Sequence, residues 1–122
     1  MNIAKYQKQI HEQIIAPMTE FMAETVDEDG SCDYSQEDID ACERLLNNYV
    51  AALTALTQPT DQAIMQQVKS VVLALNKLNE ETDYALIETE EREAIWEVIQ
   101  GSAIACGLKN PPDDITEEWR DW

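Results

Sequence analysis

Residues 60–78 read TDQAIMQQVKSVVLALNKL, and within them Ile64, Val68, Val71, Val72, Leu75 and Leu78 recur at intervals of one, three and four. An α-helix turns once every 3.6 residues, so side chains at this spacing share one face, and a face this apolar needs other elements to cover it. Thr60 or Asp61 is placed to cap the first turn with a side-chain oxygen, and Gln58-Pro59 stops whatever helix precedes. Upstream, Ile39, Cys42, Leu45, Leu46, Tyr49, Leu53 and Leu56 form a second stripe, opened by Ser35 with Asp38 three residues on in the manner of a capping box. Further upstream still, Ile3, Tyr6, Ile10, Ile14, Met18, Phe21 and Met22 keep helical spacing. Pro17 interrupts that run and predicts a kink or split near Ala16, because proline removes a hydrogen bond and crowds the preceding turn.

Downstream, residues 80–88 read as a connection. Thr89 can cap a fourth helix bearing Ile95, Trp96, Ile99, Ala103 and Cys106, and Gly107-Leu108 reads as a glycine C-cap with its hydrophobic contact. After Pro111-Pro112 the segment DDITEEWRDW puts Ile115, Trp119 and Trp122 on one face of a short last helix. No segment alternates with period two over β-branched residues, and no internal repeat is present. The expectation is an all-α fold: a single helical domain over residues 1–122, built as a four-helix up-and-down bundle with a kinked first helix and a short C-terminal helix.

The 122 residues suit one core, and an apolar fraction of 44% is enough to fill it. Charge is the unusual feature. Twenty-five acids against eight bases give a net charge of −17. The excess is spread: residues 1–61 hold 12 acids and 3 bases, residues 62–122 hold 13 and 5. A disordered acidic tail would concentrate its charge and lack periodicity. Such a surface repels nucleic acid and anionic membrane and attracts basic partners, so direct nucleic-acid or membrane binding is not expected. Three cysteines, Cys32, Cys42 and Cys106, form no CxxC pair. With no apolar run of membrane length and no signal-peptide core at the start, they suggest a cytoplasmic protein.

Among local motifs the loop DEDGSCDYSQED is the most specific. Asp27, Asp29, Ser31, Ser35 and Asp38 fall at positions 1, 3, 5, 9 and 12 of a calcium loop, with Tyr34 at position 8. Against this, Cys32 stands where the sharp turn wants glycine, Asp38 is shorter than the usual bidentate glutamate, and no second hand is present. The plainer reading is an acidic loop whose Ser35 caps a helix. Glu90 and Glu93 with Glu118 and Asp121 resemble in spacing the ExxE…ExxD carboxylates that hold magnesium in helical nucleotide pyrophosphatases. Here the second pair follows Pro111-Pro112, and no basic cluster stands ready for a triphosphate. His11 is the single histidine, which excludes a multi-histidine zinc site and a Ser-His-Asp triad. No catalytic residue is assigned.

The strings AALTALT (51–57), LNKLNEE (75–81), IETEEREAI (87–95), ACGL (105–108) and EEWRDW (117–122) resemble a family of small acidic bacterial proteins of unknown function. The resemblance covers about residues 50–122 and implies a helical, intracellular bacterial protein, with no reaction attached. These observations lead to the expectation of a non-catalytic acidic module that binds a basic protein. Its concrete forms are an immunity or antitoxin protein against a cationic nuclease toxin, or a nucleic-acid mimic occupying a DNA-binding groove. The residues expected to meet the partner are Asp27, Glu28, Asp29 and Asp33 in the loop and Glu88, Glu90, Glu91, Glu93 and Glu97 in the acidic run. Trp119 and Trp122 either anchor the partner or dock the tail onto the bundle, docking being the more economical. The alternatives are a divalent-cation-binding protein using the 27–38 loop, with calcium the one cofactor in view, and a soluble bacterial helical protein with another role; a magnesium-dependent nucleotide hydrolase is a minor further one.

Overall fold

The computed structural model describes residues 1–24 and 33–122. Among them are five α-helices, α1 (Ile3–Ile10), α2 (Ala16–Glu24), α3 (Gln36–Thr54), α4 (Asp61–Glu81) and α5 (Thr89–Cys106), and no strand. The fold is all-α. Between α1 and α2, residues His11–Ile15 are wound as a π-helix, and Ala16 N–H donates to His11 O five residues back. Pro17 offers no N–H, and its ring would strike the carbonyl of Gln13. Widening the turn just ahead of it relieves the crowding without ending the helix. The predicted interruption is therefore a π-wound turn inside one helical rod.

Local chemistry sets most boundaries as expected. Ser35 N–H donates to Asp38 Oδ2 at 2.8 Å while Asp38 N–H donates to Ser35 Oγ at 3.4 Å, a reciprocal capping box. Thr60 Oγ1 accepts from Ala63 N–H at 3.1 Å. At the end of α5, Gly107 has φ 121°, with Gly107 N–H on Ile104 O and Leu108 N–H on Ala103 O, the pair of bonds that defines a Schellman cap. One cap differs. Glu88, not Thr89, holds the extended cap position, without a side-chain bond. Asn79 Oδ1 takes Ile87 N–H at 2.9 Å, which fixes the chain's entry one residue early and leaves Thr89 as the first helical residue.

The C-terminal segment also corrects the expectation. Residues 111–122 form a string of turns, not a short helix. Ten residues cannot sustain a helix alone, and side chains of the bundle claim the backbone groups a helix would have used. Gln100 Oε1 accepts from Ile115 N–H at 3.2 Å, Asn76 Nδ2 donates to Trp119 O at 2.7 Å, and Asn76 Oδ1 accepts from Asp121 N–H at 3.1 Å.

The predicted stripes become one core. Ile10, Ile14 and Met18 from the rod, Ile39 and Leu46 from α3, Ile64 and Leu75 from α4, and Ile95 and Ile99 from α5 are fully buried. Two tyrosines tie helices across it: Tyr6 Oη donates to Gly101 O at 3.3 Å and Tyr49 Oη to Ile99 O at 2.8 Å. A buried phenol needs such a partner, and both choose carbonyls of α5.

Candidate functional site

Helix directions decide where the acids meet. His11 faces Glu43 at 3.1 Å and Tyr34 Oη donates to Met18 O at 3.3 Å, so the rod runs opposite to α3. Tyr49 meets Ile99, and Cys106 Sγ lies 3.5 Å from Leu53 O, so α3 and α5 run the same way. At the start of α4, Asp61 accepts from Lys109 N–H at 2.9 Å and from Asn110 N–H at 3.3 Å, just past the end of α5, so these two helices are opposed. The end of α2, the start of α3, the end of α4 and the start of α5 consequently share one end of the molecule.

That end is rich in carboxylates. Glu20 and Glu24 come from α2, Asp33, Glu37, Asp38, Asp40 and Glu43 from the start of α3, and Glu80, Glu81 and Asp83 from the end of α4. Glu88, Glu90, Glu91, Glu93 and Glu97 come from the start of α5. Past Glu43, α3 carries no acid, and α4 carries none between Asp61 and Glu80. Ion pairing does little to neutralise this end. Among the described residues the pairs are Lys8–Glu12 at 3.9 Å, His11–Glu43 at 3.1 Å and Arg120–Asp114 at 3.1 Å. Acids at the starts of α3 and α5 complement the helix dipoles. Those at the ends of α2 and α4 oppose them, and neither last turn holds a base.

Of the residues expected from sequence, Glu88, Glu90, Glu93, Glu97 and Asp33 are exposed at this end. Glu91 turns inward. With Gln13, Pro17, Glu20, Phe21, Glu24 and Glu90 it lines a crevice of about 310 Å³ between α2 and α5. Burial, aided by repulsion from Glu88 and Glu90, raises the Glu91 carboxyl above the ordinary range, against the pull of hydrogen bonds from Glu91 N–H and Glu88 N–H. Asp27, Glu28 and Asp29 lie outside the described residues. Glu20, Glu24, Glu80, Glu81 and Asp83 join the group although sequence reasoning passed over them. They are far apart along the chain, and only helix direction brings them together. Trp119 and Trp122 are half-buried against the core, with the Arg120 guanidinium 6.0 Å from the Trp122 ring centroid, so the tail is docked.

For the metal reading, Ser35 and Asp38 are bonded to one another in the capping box, and Asp27, Asp29 and Ser31 lie outside the described residues. No three histidine, cysteine or acidic residues gather to hold a metal among the described residues. Glu90 and Glu93 stand on α5, while Glu118 and Asp121 are in the clasped terminal turns. Cys42 is buried and its thiol is pushed up to about 12, by burial first and Glu43 second. A groove of about 330 Å³ between α3 and α4 is lined by Leu45, Asn48, Ala52, Gln67 and Ser70 among others. Its one titratable group is the Tyr49 hydroxyl, which is already bonded to Ile99 O, so the groove has no acid–base pair to offer. No helix among the described residues is long and apolar enough to cross a membrane. No family model, curated protein or solved structure matches this chain.

Proposed function

We propose that this protein is a non-catalytic acidic module that engages a basic protein through the carboxylate-rich end of its helices. The observation that carries the reading is the placement of the acids. Four helix termini converge, each brings carboxylates, and among the described residues few bases form ion pairs with them. A surface of this kind steers a cationic partner before contact and raises association rates by roughly 10 to 1,000-fold at low ionic strength. The partner class is a cationic nuclease toxin held inactive by an immunity or antitoxin protein, or a nucleic-acid-binding protein whose groove the acids occupy as a mimic. A cytoplasmic bacterial setting belongs to the same proposal, following from the resemblance over residues 50–122.

The test is binding to purified cationic nucleases and nucleic-acid-binding proteins at low and moderate salt. One variant replaces Glu90, Glu93 and Glu97 by Gln. A second changes net charge equally on the C-terminal segment, through Asp113→Asn, Glu117→Gln and Glu118→Gln. The first should bind much more weakly than the second, with a smaller dependence on salt. Equal loss in both would mean that overall charge alone matters, and the reading would be wrong.

A further inference from the structure

Residues 44–79, from the middle of α3 almost to the end of α4, hold three bases, Arg44, Lys69 and Lys77, and one acid, Asp61, a local charge of +2 in a chain of −17. Asp61 stands at the far end of the stretch, where Lys109 N–H and Asn110 N–H donate to its carboxylate. Glu43, and Asp121 through its N–H on Asn76 Oδ1, mark the borders of this acid-poor face. Arg44, Lys69 and Lys77 are exposed and form no ion pair among the described residues.

The face has a recess and a protrusion. The groove of about 330 Å³ takes its walls from α3 and α4 alone, with Leu45, Asn48 and Ala52 on one side and Gln67, Ser70 and Ala74 on the other. Beside it on α4, three residues past Ser70, stands Leu73, 46% exposed. A single exposed leucine is ordinary on any protein surface. One that stands next to an uncharged groove is self-complementary, because a two-fold axis carries the protrusion of each copy to the recess of the other.

Charge selects the occupant. A basic protein is repelled by the three unpaired bases. Copies of this chain repel one another wherever carboxylates face carboxylates, but between its borders this face presents none, and its bases meet the negative potential of the other copy. Size is consistent with a modest contact. Residues 62–79 of α4 run about 27 Å, and two helices side by side are about 20 Å wide. Two such faces together cover on the order of 1,000 Å², the lower limit for a specific interface.

We propose that the α3–α4 face is the contact between two copies of this chain, related by a two-fold axis, with Leu73 of each seated in the groove of the other. This contact is separate from the carboxylate-rich end and does not depend on the basic-partner reading.

The experiment is sedimentation of the whole chain over the micromolar to millimolar range, with Leu73→Glu, Ser70→Glu and Ile104→Glu compared. Ile104, 47% exposed on α5, serves as the control for an equal change in charge and a lost apolar side chain. The parent should pass from one chain to two and no further, and more readily as salt rises from about 50 to about 500 mM, because screening weakens the repulsion between the copies. Leu73→Glu and Ser70→Glu should each weaken the dimer at least about tenfold, and Ile104→Glu should stay within about twofold of the parent. Should Leu73→Glu melt well below the parent, Ser70→Glu carries the comparison. A monomer at every concentration and salt would overturn the proposal and leave the face to an unrelated protein. Assemblies that grow beyond two, or that dissociate as salt rises, would place the acidic end of one copy on the bases of another and overturn the two-fold contact. Equal weakening in Ile104→Glu, or an unweakened dimer in both α4 variants, would overturn it as well.

Discussion

Asn79→Ala removes the keystone of the α4–α5 connection, and its cost can be worked from the structure. The side chain is 1% exposed, and its Oδ1 is the acceptor for Ile87 N–H, itself on a residue 4% exposed. Deleting the oxygen strands a donor on a buried residue, which costs about 1–3 kcal/mol. Alanine offsets part of that as the better helix former in the last turn of α4, by up to about 0.7 kcal/mol. The net loss is about 1–2 kcal/mol, or about 3–10 °C in melting temperature for a domain of this length. Asn79→Asp sharpens the test, because it keeps the acceptor but buries a charge beside Glu80 and Glu81. Burial and like-charged neighbours raise that carboxyl in the folded state above its unfolded value. Stability is then greatest below the unfolded value and falls as pH rises through the folded one. Asn79→Asp should therefore be less stable than Asn79→Ala at neutral pH and recover on acidification to about pH 5, as read by far-UV circular dichroism melts. An Asn79→Ala protein melting within about 1 °C of the parent, or an Asn79→Asp protein more stable than Asn79→Ala at neutral pH, would refute the reasoning.

Three other outcomes follow from the same contacts. Asp61 is held below the ordinary carboxylate range chiefly by Lys109 N–H; in Asp114, burial acts upward but hydrogen bonds from Thr116 and Arg120 outweigh it. Both acids thus add stability above the unfolded carboxylate value of about 4, and it is lost as pH falls through their lower folded values, so tryptophan fluorescence should report loosening of the tail before helical signal is lost. Coincident transitions in the parent, or an unchanged early phase in Asp114→Asn, would contradict this. Gly107→Ala should cost about 1–2 kcal/mol in denaturant titration from left-handed backbone alone, since a Cβ there meets nothing within 4 Å, and Gly107→Asn should cost less. Glu80→Lys with Glu81→Lys should stabilise the fold by about 0.3–1 kcal/mol per residue through the α4 dipole, a gain that shrinks in high salt.

What could be read in the sequence was whatever depends on neighbours three and four residues away. The stripe Ile64, Val68, Val71, Val72, Leu75 and Leu78 is buried throughout, and the Ser35–Asp38 box and the Gly107 cap stand where the spacing puts them. Each is a local arrangement that needs no knowledge of the rest of the chain. The misses have the opposite character. The tail's turns depend on Asn76 and Gln100 taking its backbone groups, and those partners are 43 and 15 residues away. The left-handed backbone at Tyr84 (φ 63°) comes from a turn in which Asn79 O accepts from Tyr84 N–H, a role invisible in a string that reads simply as a helix end. For the candidate site, the α5 acids were evident as a run. Glu20, Glu24, Glu80, Glu81 and Asp83 join them only because successive helices reverse, a relation composition cannot express.

Solubility alone does not account for that arrangement. Twenty-five acids would keep the chain soluble wherever they stood, and spacing them evenly would minimise their mutual repulsion. Instead fifteen of them gather at or beside four helix termini, two of which already carry partial negative charge from exposed carbonyls, and one of the fifteen, Glu91, is turned into a crevice where its ionised form is disfavoured. The same end holds a tyrosine in a backbone conformation that glycine would adopt without strain. The acids at the starts of α3 and α5 favour their helices, but those at the ends of α2 and α4, the inward Glu91 and the left-handed Tyr84 work against folding. Under the proposed function this opposition is the central physical relation. Substitutions that relax this end should strengthen the fold while weakening capture of a basic partner, whereas acids placed for solubility would show no such exchange.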